Sequence, residues 1–177
     1  MNIHSDVTTK VTRQSYAAAA KIVGVEFVPV PVMYDDGGYF VELARMQAGV
    51  LSGFSQPIVV QQVSLSQLSP GAIKAYHLHR TQTDVWFVPP QFSLVVNLHD
   101  VRADSATYNI HMRFVLGGSN TKLLAIPPGV AHGVANLNQV PASLFYYTTE
   151  QFDKTNPDEY RLPWDHFGTD VWKITKG

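Results

Sequence analysis

An all-β barrel or sandwich is the fold this sequence predicts, and three observations carry that expectation. Nine runs of about strand length follow one another between residues 39 and 152: YFVELAR, PIVVQQVSLS, AIKAYHLH, TDVWFV, FSLVVNLHDV, TYNIHMRFVLG, TKLLAIP, HGVANLN and ASLFYYTTEQF. They are rich in Val, Phe and Tyr and mostly lack helical spacing of their apolar residues. Turn signals separate them (PVPV, DDGG, QLSPG, VPP, LGGSN, IPPG, NQVP) at the regular intervals typical of barrels and sandwiches.

Taken in order, residues 11–22 (VTRQSYAAAAKI) predict one helical turn or more, because consecutive alanines favour helix. From Val25 the strand texture begins, giving a barrel core over about 25–152. The tail 153–177 is polar and aromatic, which suits irregular structure or a short helix laid against the barrel. The whole length, 1–177, fits a single domain. Within AIKAYHLH, strand alternation puts Ala75, His77 and His79 on one face and Tyr76 and Leu78 on the other. If the histidines face inward, the apolar Leu78 faces an outer layer.

Composition narrows the function. Thirteen Lys and Arg against fourteen Asp and Glu leave a net charge of −1, so no basic footprint for nucleic acid is present. With no cysteine there is neither a disulfide framework nor a thiolate metal site, and any metal must sit on His, carboxylate or water. The first residues lack a basic segment followed by a clean apolar run, so neither a targeting segment nor a membrane span is expected. The expectation is a soluble, cytoplasmic protein with no nucleic-acid or membrane partner.

Two motifs carry the chemistry. The first is Gly71, His77, His79 and Asp84; the second is Pro127, Gly129, His132 and Asn136. Three imidazoles and one carboxylate projecting into a barrel could hold a divalent ion such as Fe, Mn, Ni or Zn and leave positions open for water or substrate. A lone H-x-H on a strand is more often a hydrogen-bonded pair without metal; Asp84 and His132 bring the two readings level. Together the motifs resemble those of the cupin superfamily, a small jelly-roll β-barrel. In metal-binding cupins the first motif supplies two His and a carboxylate, normally Glu, and the second supplies one more His. Here Asp84 takes the Glu position and the closing Gly of the first motif is absent.

A second resemblance spans roughly residues 35–172 and is to the dTDP-4-dehydrorhamnose 3,5-epimerase family, which uses the cupin barrel on sugar nucleotides without metal. Its D-x-R-G-x-F-x-E is echoed by Asp35-Asp36-Gly37-Gly38-Tyr39-Phe40-Val41-Glu42, and its R-G-L-H by Lys74-Ala75-Tyr76-His77. Its S-P-T-F is similar to Ser105-Ala106-Thr107-Tyr108, and its I-P-x-G-x-A-H-G-F to the run from Ile126 to Val134. Its L-Y-K-x-T resembles Phe145-Tyr146-Tyr147-Thr148-Thr149, and its acid ahead of a closing Trp matches Asp165 and Trp172. The resemblance implies His77 as catalytic base, Asp165 as the carboxylate that orients it and Tyr146 as the acid on the opposite face. It implies Lys74, Gln62, Phe40, Glu42 and His132 as substrate-binding residues, a nucleotide sugar as substrate, no cofactor and a homodimer. A proton next to a 4-keto group is acidic enough for a neutral imidazole to remove.

The departures matter equally. The family's Arg in D-x-R-G is Gly37, the Arg before the catalytic His is Lys74, and the Lys expected to steady the enolate oxygen falls at Asp84. An acid there repels an enolate, and its oxyanion loses electrostatic stabilisation. A metal on His77, His79, Asp84 and His132 would replace the lysine as a Lewis acid, but His77 would then be a ligand and not a free base. Two enzyme readings follow: a metal-free epimerase or isomerase of a 4-keto-6-deoxy sugar nucleotide, or a metal-dependent oxygenase, isomerase or lyase. A non-catalytic sugar-binding barrel is the third reading. The R-G-F-H-x-H segment of the dTDP-sugar 3,4-ketoisomerases also looks like Lys74 to His79. Outside the motifs, His99, His111 and His166 read as surface or strand polar residues, while Tyr160, Arg161 and Trp164 could line a cavity mouth.

Overall fold

The structure, a computed structural model, describes residues 2–14 and 19–174. Its one α-helix among these residues is a single turn, α1 (Ser5–Thr8), which buries nothing. The helix expected over 11–22 is absent from the described part of that stretch: 11–14 and 19–22 are not helical, and 15–18 lie outside the described residues. Ala19 and Ala20 are exposed.

Fifteen strands follow among the described residues. They are β1 (Glu26–Pro29), β2 (Val32–Asp35), β3 (Gly38–Val41), β4 (Met46–Gln47), β5 (Val50–Leu51), β6 (Ile58–Val59), β7 (Gln62–Leu68) and β8 (Ile73–Leu78). Then come β9 (Asp84–Phe87), β10 (Ser93–Asp100), β11 (His111–Gly117), β12 (Lys122–Ile126), β13 (Val130–Ala135), β14 (Ala142–Thr148) and β15 (Tyr160–Arg161). Each of the nine runs read from the sequence contains or overlaps a strand. The tail adds β15 and a 3-10 turn at Asp170–Trp172.

The barrel is two antiparallel sheets, one ordered β1-β12-β9-β14-β7 and the other β11-β10-β13-β8-β15. This is the all-β jelly-roll architecture of the cupins. Between the sheets lies the main core, with Leu68, Trp86, Leu94, Val96, Leu98, Leu116, Leu124, Val134 and Leu144. The outer face of the first sheet is covered by the N-terminal strands and loops, through Val30, Leu51, Val85, Phe87, Leu123 and Tyr147. The outer face of the second is covered by the tail, where Leu162, Phe167, Val171 and Trp172 pack on Tyr76, Val95, Ala131 and Ala135. Because both faces of each sheet are covered, β9 and β13 are buried at every position and are apolar apart from Asp84 and His132. No helix among the described residues is long and apolar enough to cross a membrane.

Two pairings set the site. Strand β8 lies between β13 and β15, with His77 opposite both His132 and Arg161. Across the barrel, β14 pairs with β9 so that Tyr146 lies opposite Trp86.

Candidate active site

A cavity of about 480 Å³ opens between the two sheets, a size suited to a small-molecule ligand. From the second sheet it is lined by Lys74, Ala75, His77, His132 and Val134, and from the first by Ser66, Asp84, Trp86, Leu144 and Tyr146. His79 and Gln82 in the turn after β8, and Glu159 and Arg161 on the tail, complete the wall. His77 and His79 reach the cavity while Tyr76 and Leu78 pack under the tail, as alternation expects. Ala75 departs from it, packing on the tail side with Tyr76, because the β8–β13 ladder slips between Lys74 and His77.

His77 is about a quarter exposed, and its Nδ1 lies 3.0 Å from Oε1 of Glu159. That oxygen is buried and has no well-aligned hydrogen bond; the Arg161 guanidinium stands against the same atom. The contact is thus an ion-pair distance off the hydrogen-bond line. Burial, reinforced by Arg161, holds the His77 imidazole below its ordinary pKa against the opposing pull of Glu159. Burial alone would push the Glu159 carboxyl up; His77 and Arg161 outweigh it and hold it below the ordinary value.

Beneath His77 lies a buried trio, His79, Asp84 and His132. Nδ1–H of His132 donates to the Val130 carbonyl at 2.9 Å, and Nδ1–H of His79 donates to the Asp158 carbonyl. A carbonyl only accepts, so both Nδ1 atoms carry the proton and both Nε2 atoms present lone pairs. Nε2 of His79 lies 3.7 Å from Asp84 Oδ1 and Nε2 of His132 lies 3.6 Å from Oδ2. Those gaps exceed a hydrogen bond, yet they approach the separation of about 3.4 Å between ligands around a tetrahedral ion bound at ~2.0–2.2 Å. Two imidazoles oriented by backbone carbonyls and one carboxylate fit a borderline divalent ion. The carboxylate is otherwise satisfied by donors: Gln82 Nε2 at 2.7 Å and the Trp86 indole N–H at 3.1 Å.

The structure brings some of the expected site residues to the cavity and places others away from it. Asp165 does not reach His77: it lies in an exposed turn past Pro163, its side chain makes no contact with another described polar group, and it is not among the cavity-lining residues. Its backbone carbonyl accepts from Gly168 N–H at 2.8 Å. Phe40 and Glu42 also lie away from the cavity, Phe40 exposed on the β2–β3 hairpin and Glu42 paired with Arg45 at 2.9 Å. Gln62 is used structurally, donating to Ser64 Oγ at 3.0 Å and accepting from Phe152 N–H at 3.0 Å. Of the residues expected to bind substrate, only Lys74 and His132 line the cavity. The four-ligand metal set reduces to three, because His77 faces Glu159 instead of the trio, so base and ligand roles no longer compete for it. Glu159, Gln82 and Trp86 carried no sequence signal. Arg161 was one candidate for the cavity mouth and does line it, whereas Trp164 only lends its carbonyl to the Trp172 indole at 2.8 Å.

Known proteins agree with this architecture. SpsL of Bacillus subtilis, a spore coat polysaccharide biosynthesis protein, is 40% identical over 144 residues, covering 81% of this chain and 91% of SpsL. Agl13 of Haloferax volcanii, a probable low-salt glycan biosynthesis epimerase, is 30% identical over 142 residues, 80% of this chain and 87% of Agl13. The crystal structure of NovW, a 4-keto-6-deoxy sugar epimerase from Streptomyces spheroides, superposes with a TM-score of 0.73 at 20% identity, covering 93% of this chain and 83% of NovW. At that identity the likeness speaks for the fold alone. The sequence model of the dTDP-4-dehydrorhamnose 3,5-epimerase family matches residues 19–172. The chain therefore belongs to the dTDP-4-dehydrorhamnose 3,5-epimerase family and is a sugar-nucleotide epimerase.

Proposed function

We propose that the chain inverts a carbon next to the keto group of a dTDP-4-keto-6-deoxyhexose, with His77 as base and Tyr146 as acid. The observation that carries this reading is that His77 on β8 and Tyr146 on β14 line one cavity from opposite sheets. A neutral His77, favoured by its burial, takes the proton from carbon, and the electron pair moves onto the keto oxygen as an enolate. The Tyr146 phenol returns a proton from the other face. Imidazolium and phenolate then reset by exchange with water, so no external cofactor is consumed. Lys74, hydrogen-bonded to Ser66 Oγ at 2.5 Å on the cavity wall, supplies a cation for the anionic nucleotide.

The test is carbon-bound proton exchange followed by NMR in D2O. His77→Asn should abolish exchange, and retained exchange would rule the assignment out.

The buried trio favours a second reading of the same pocket. His79, Asp84 and His132 would hold a divalent ion whose chemistry is to polarise the keto oxygen where the family's lysine is replaced by Asp84. Elemental analysis of protein prepared without affinity-tag nickel, then reloaded with zinc or manganese, decides it. Absence of stoichiometric metal after reloading would remove this reading.

The chain is further expected to act as one folding unit in the cytoplasm and as a homodimer. Exposed Met33, Tyr34 and Phe40 on the β2–β3 hairpin, and Val63 and Leu65 on the edge strand β7, support a self-association surface. Sedimentation equilibrium giving only monomer at micromolar concentration would exclude the dimer.

A further inference from the structure

We infer that Glu159, not Asp165, is the positioning carboxylate of His77, delivered to the base by the tail strand β15. The inference rests on the assignment of His77 as base made above.

Three observations carry it. First, Glu159 Oε1 is a buried oxygen 3.0 Å from Nδ1 of His77 and without an aligned donor of its own. The Arg161 guanidinium already meets this oxygen, and an Nδ1–H turned toward it adds the aligned hydrogen bond that no group supplies in the resting structure. With the proton on Nδ1, the lone pair of a neutral ring is on Nε2, where it can take a proton from carbon. Catalytic hydrogen bonds are often poorly aligned without substrate and tighten with it.

Second, Glu159 is held as a positioning residue must be. Immediately after it, Tyr160 and Arg161 pair with Leu78 and His77, and Leu162 exchanges backbone hydrogen bonds with Tyr76 at 3.1 Å each way. Immediately before it, the Asp158 carboxylate accepts from the backbone N–H groups of Arg80, Thr81 and Gln82 at 2.8–2.9 Å. The carboxylate therefore stands between two anchors, both fastened to β8 and the turn that follows it.

Third, Asp165 has no route to the base. It comes after Pro163, in the exposed turn that leads to Trp172, with the buried outer face of the second sheet between it and the cavity.

During turnover the proton leaves carbon for Nε2, and the imidazolium so formed keeps Nδ1–H directed at the Glu159 carboxylate. Glu159 accepts a hydrogen bond and stays ionised, and nothing else changes charge. Arg161, against the same oxygen, helps keep the carboxylate in its anionic form.

The test compares His77→Asn, Glu159→Gln, Glu159→Ala, Glu159→Asp and Asp165→Asn on a dTDP-4-keto-6-deoxyhexose in D2O, reading kcat, KM and carbon-bound exchange. Glu159→Gln should lower kcat about 10- to 100-fold with KM little changed, Glu159→Asp should recover part of it, and Asp165→Asn should stay near the parent rate. Added formate should restore part of kcat to Glu159→Ala, a rescue that a merely structural role would not give. If His77→Asn is inactive while Glu159→Gln keeps the parent kcat, or if Asp165→Asn carries the loss, this inference is overturned and the base assignment stands. Exchange retained in His77→Asn would overturn both.

Discussion

Asp84 stands where the resemblance to the epimerase family leads one to expect a lysine, and its neighbours explain how an acid is accommodated there. Gln82 and the Trp86 indole donate to its two oxygens, so the carboxylate is paired without a cation. His132, edge-on to Trp86 at 5.3 Å between ring centres and stacked under His77 at 5.9 Å, is held below its ordinary pKa by burial and so favours the neutral form. Any cation that steadies an enolate must therefore come from the substrate-side wall or from a bound ion. Tyr146 gives the sharpest expectation at this scale. In Tyr146→Phe, exchange on the His77 face should persist while the inverted product falls by about 100-fold, because only the returning proton is lost. NMR of the product mixture reads both, and an unchanged yield of epimer would remove Tyr146 as the acid. At single positions the sequence was a good guide wherever a long strand carried the residue: His77, His132, Lys74 and Tyr146 all reach the cavity. It failed for Glu159, because a two-residue edge strand is too short to show a period. The spacing of Asp165 to Trp172 reflects the burial of that tryptophan and does not fix where the acid lies, which is in an exposed turn outside the cavity lining.

Between β8 and β13 the ladder slips: His132 pairs with His77, but Val134 pairs with Lys74. The extra β8 residue is accommodated at Gly133, where an added Cβ would run into Ala75 Cβ and meet the Trp172 ring at 2.9 Å. That bulge keeps His132 in register with His77 while the strands diverge beyond it. Neither obstacle moves easily, since Ala75 has no rotamer to change and Trp172 is packed under the tail. Gly133→Ala should therefore destabilise the fold by about 1–3 kcal/mol, the usual effect of overpacking a filled core. A urea midpoint unchanged from the parent would show that the contact relaxes freely. Element existence was legible because runs such as FSLVVNLHDV are long and apolar, and their continuous burial follows from covered sheet faces. The hydrophobic pattern does not encode a register slip.

At the scale of the whole molecule, the tail is the third layer that makes the second sheet a working scaffold. Arg113 donates to the carbonyls of Val171 and Lys173, and Asn97 to that of Val171, fixing residues 171–173 across β10 and β11. In the same seam His99 is sandwiched between His111, 4.2 Å away, and Phe167, 3.7 Å away, with both rings nearly parallel to it. Tyr76 approaches His99 edge-on from β8, and Nε2 of His99 has no hydrogen-bond partner. Burial, with smaller contributions from His111 and His166, lowers its pKa from 6.5 to about 4. In the unfolded chain the ring returns to the ordinary value, so between those two pH values the unfolded state binds more protons than the folded one. Stability should accordingly be full above about pH 6.5 and should decline as the pH falls toward 4. Replacing His99 with Phe keeps an aromatic ring in the stack and removes the charge. The melting temperature of His99→Phe should fall less than the parent's between pH 7 and about pH 5, with a residual slope from His132, His77 and His111, which burial also lowers. Parallel pH profiles for the two proteins would mean that this buried ring does not govern how firmly the tail, and with it Glu159, is held against the base.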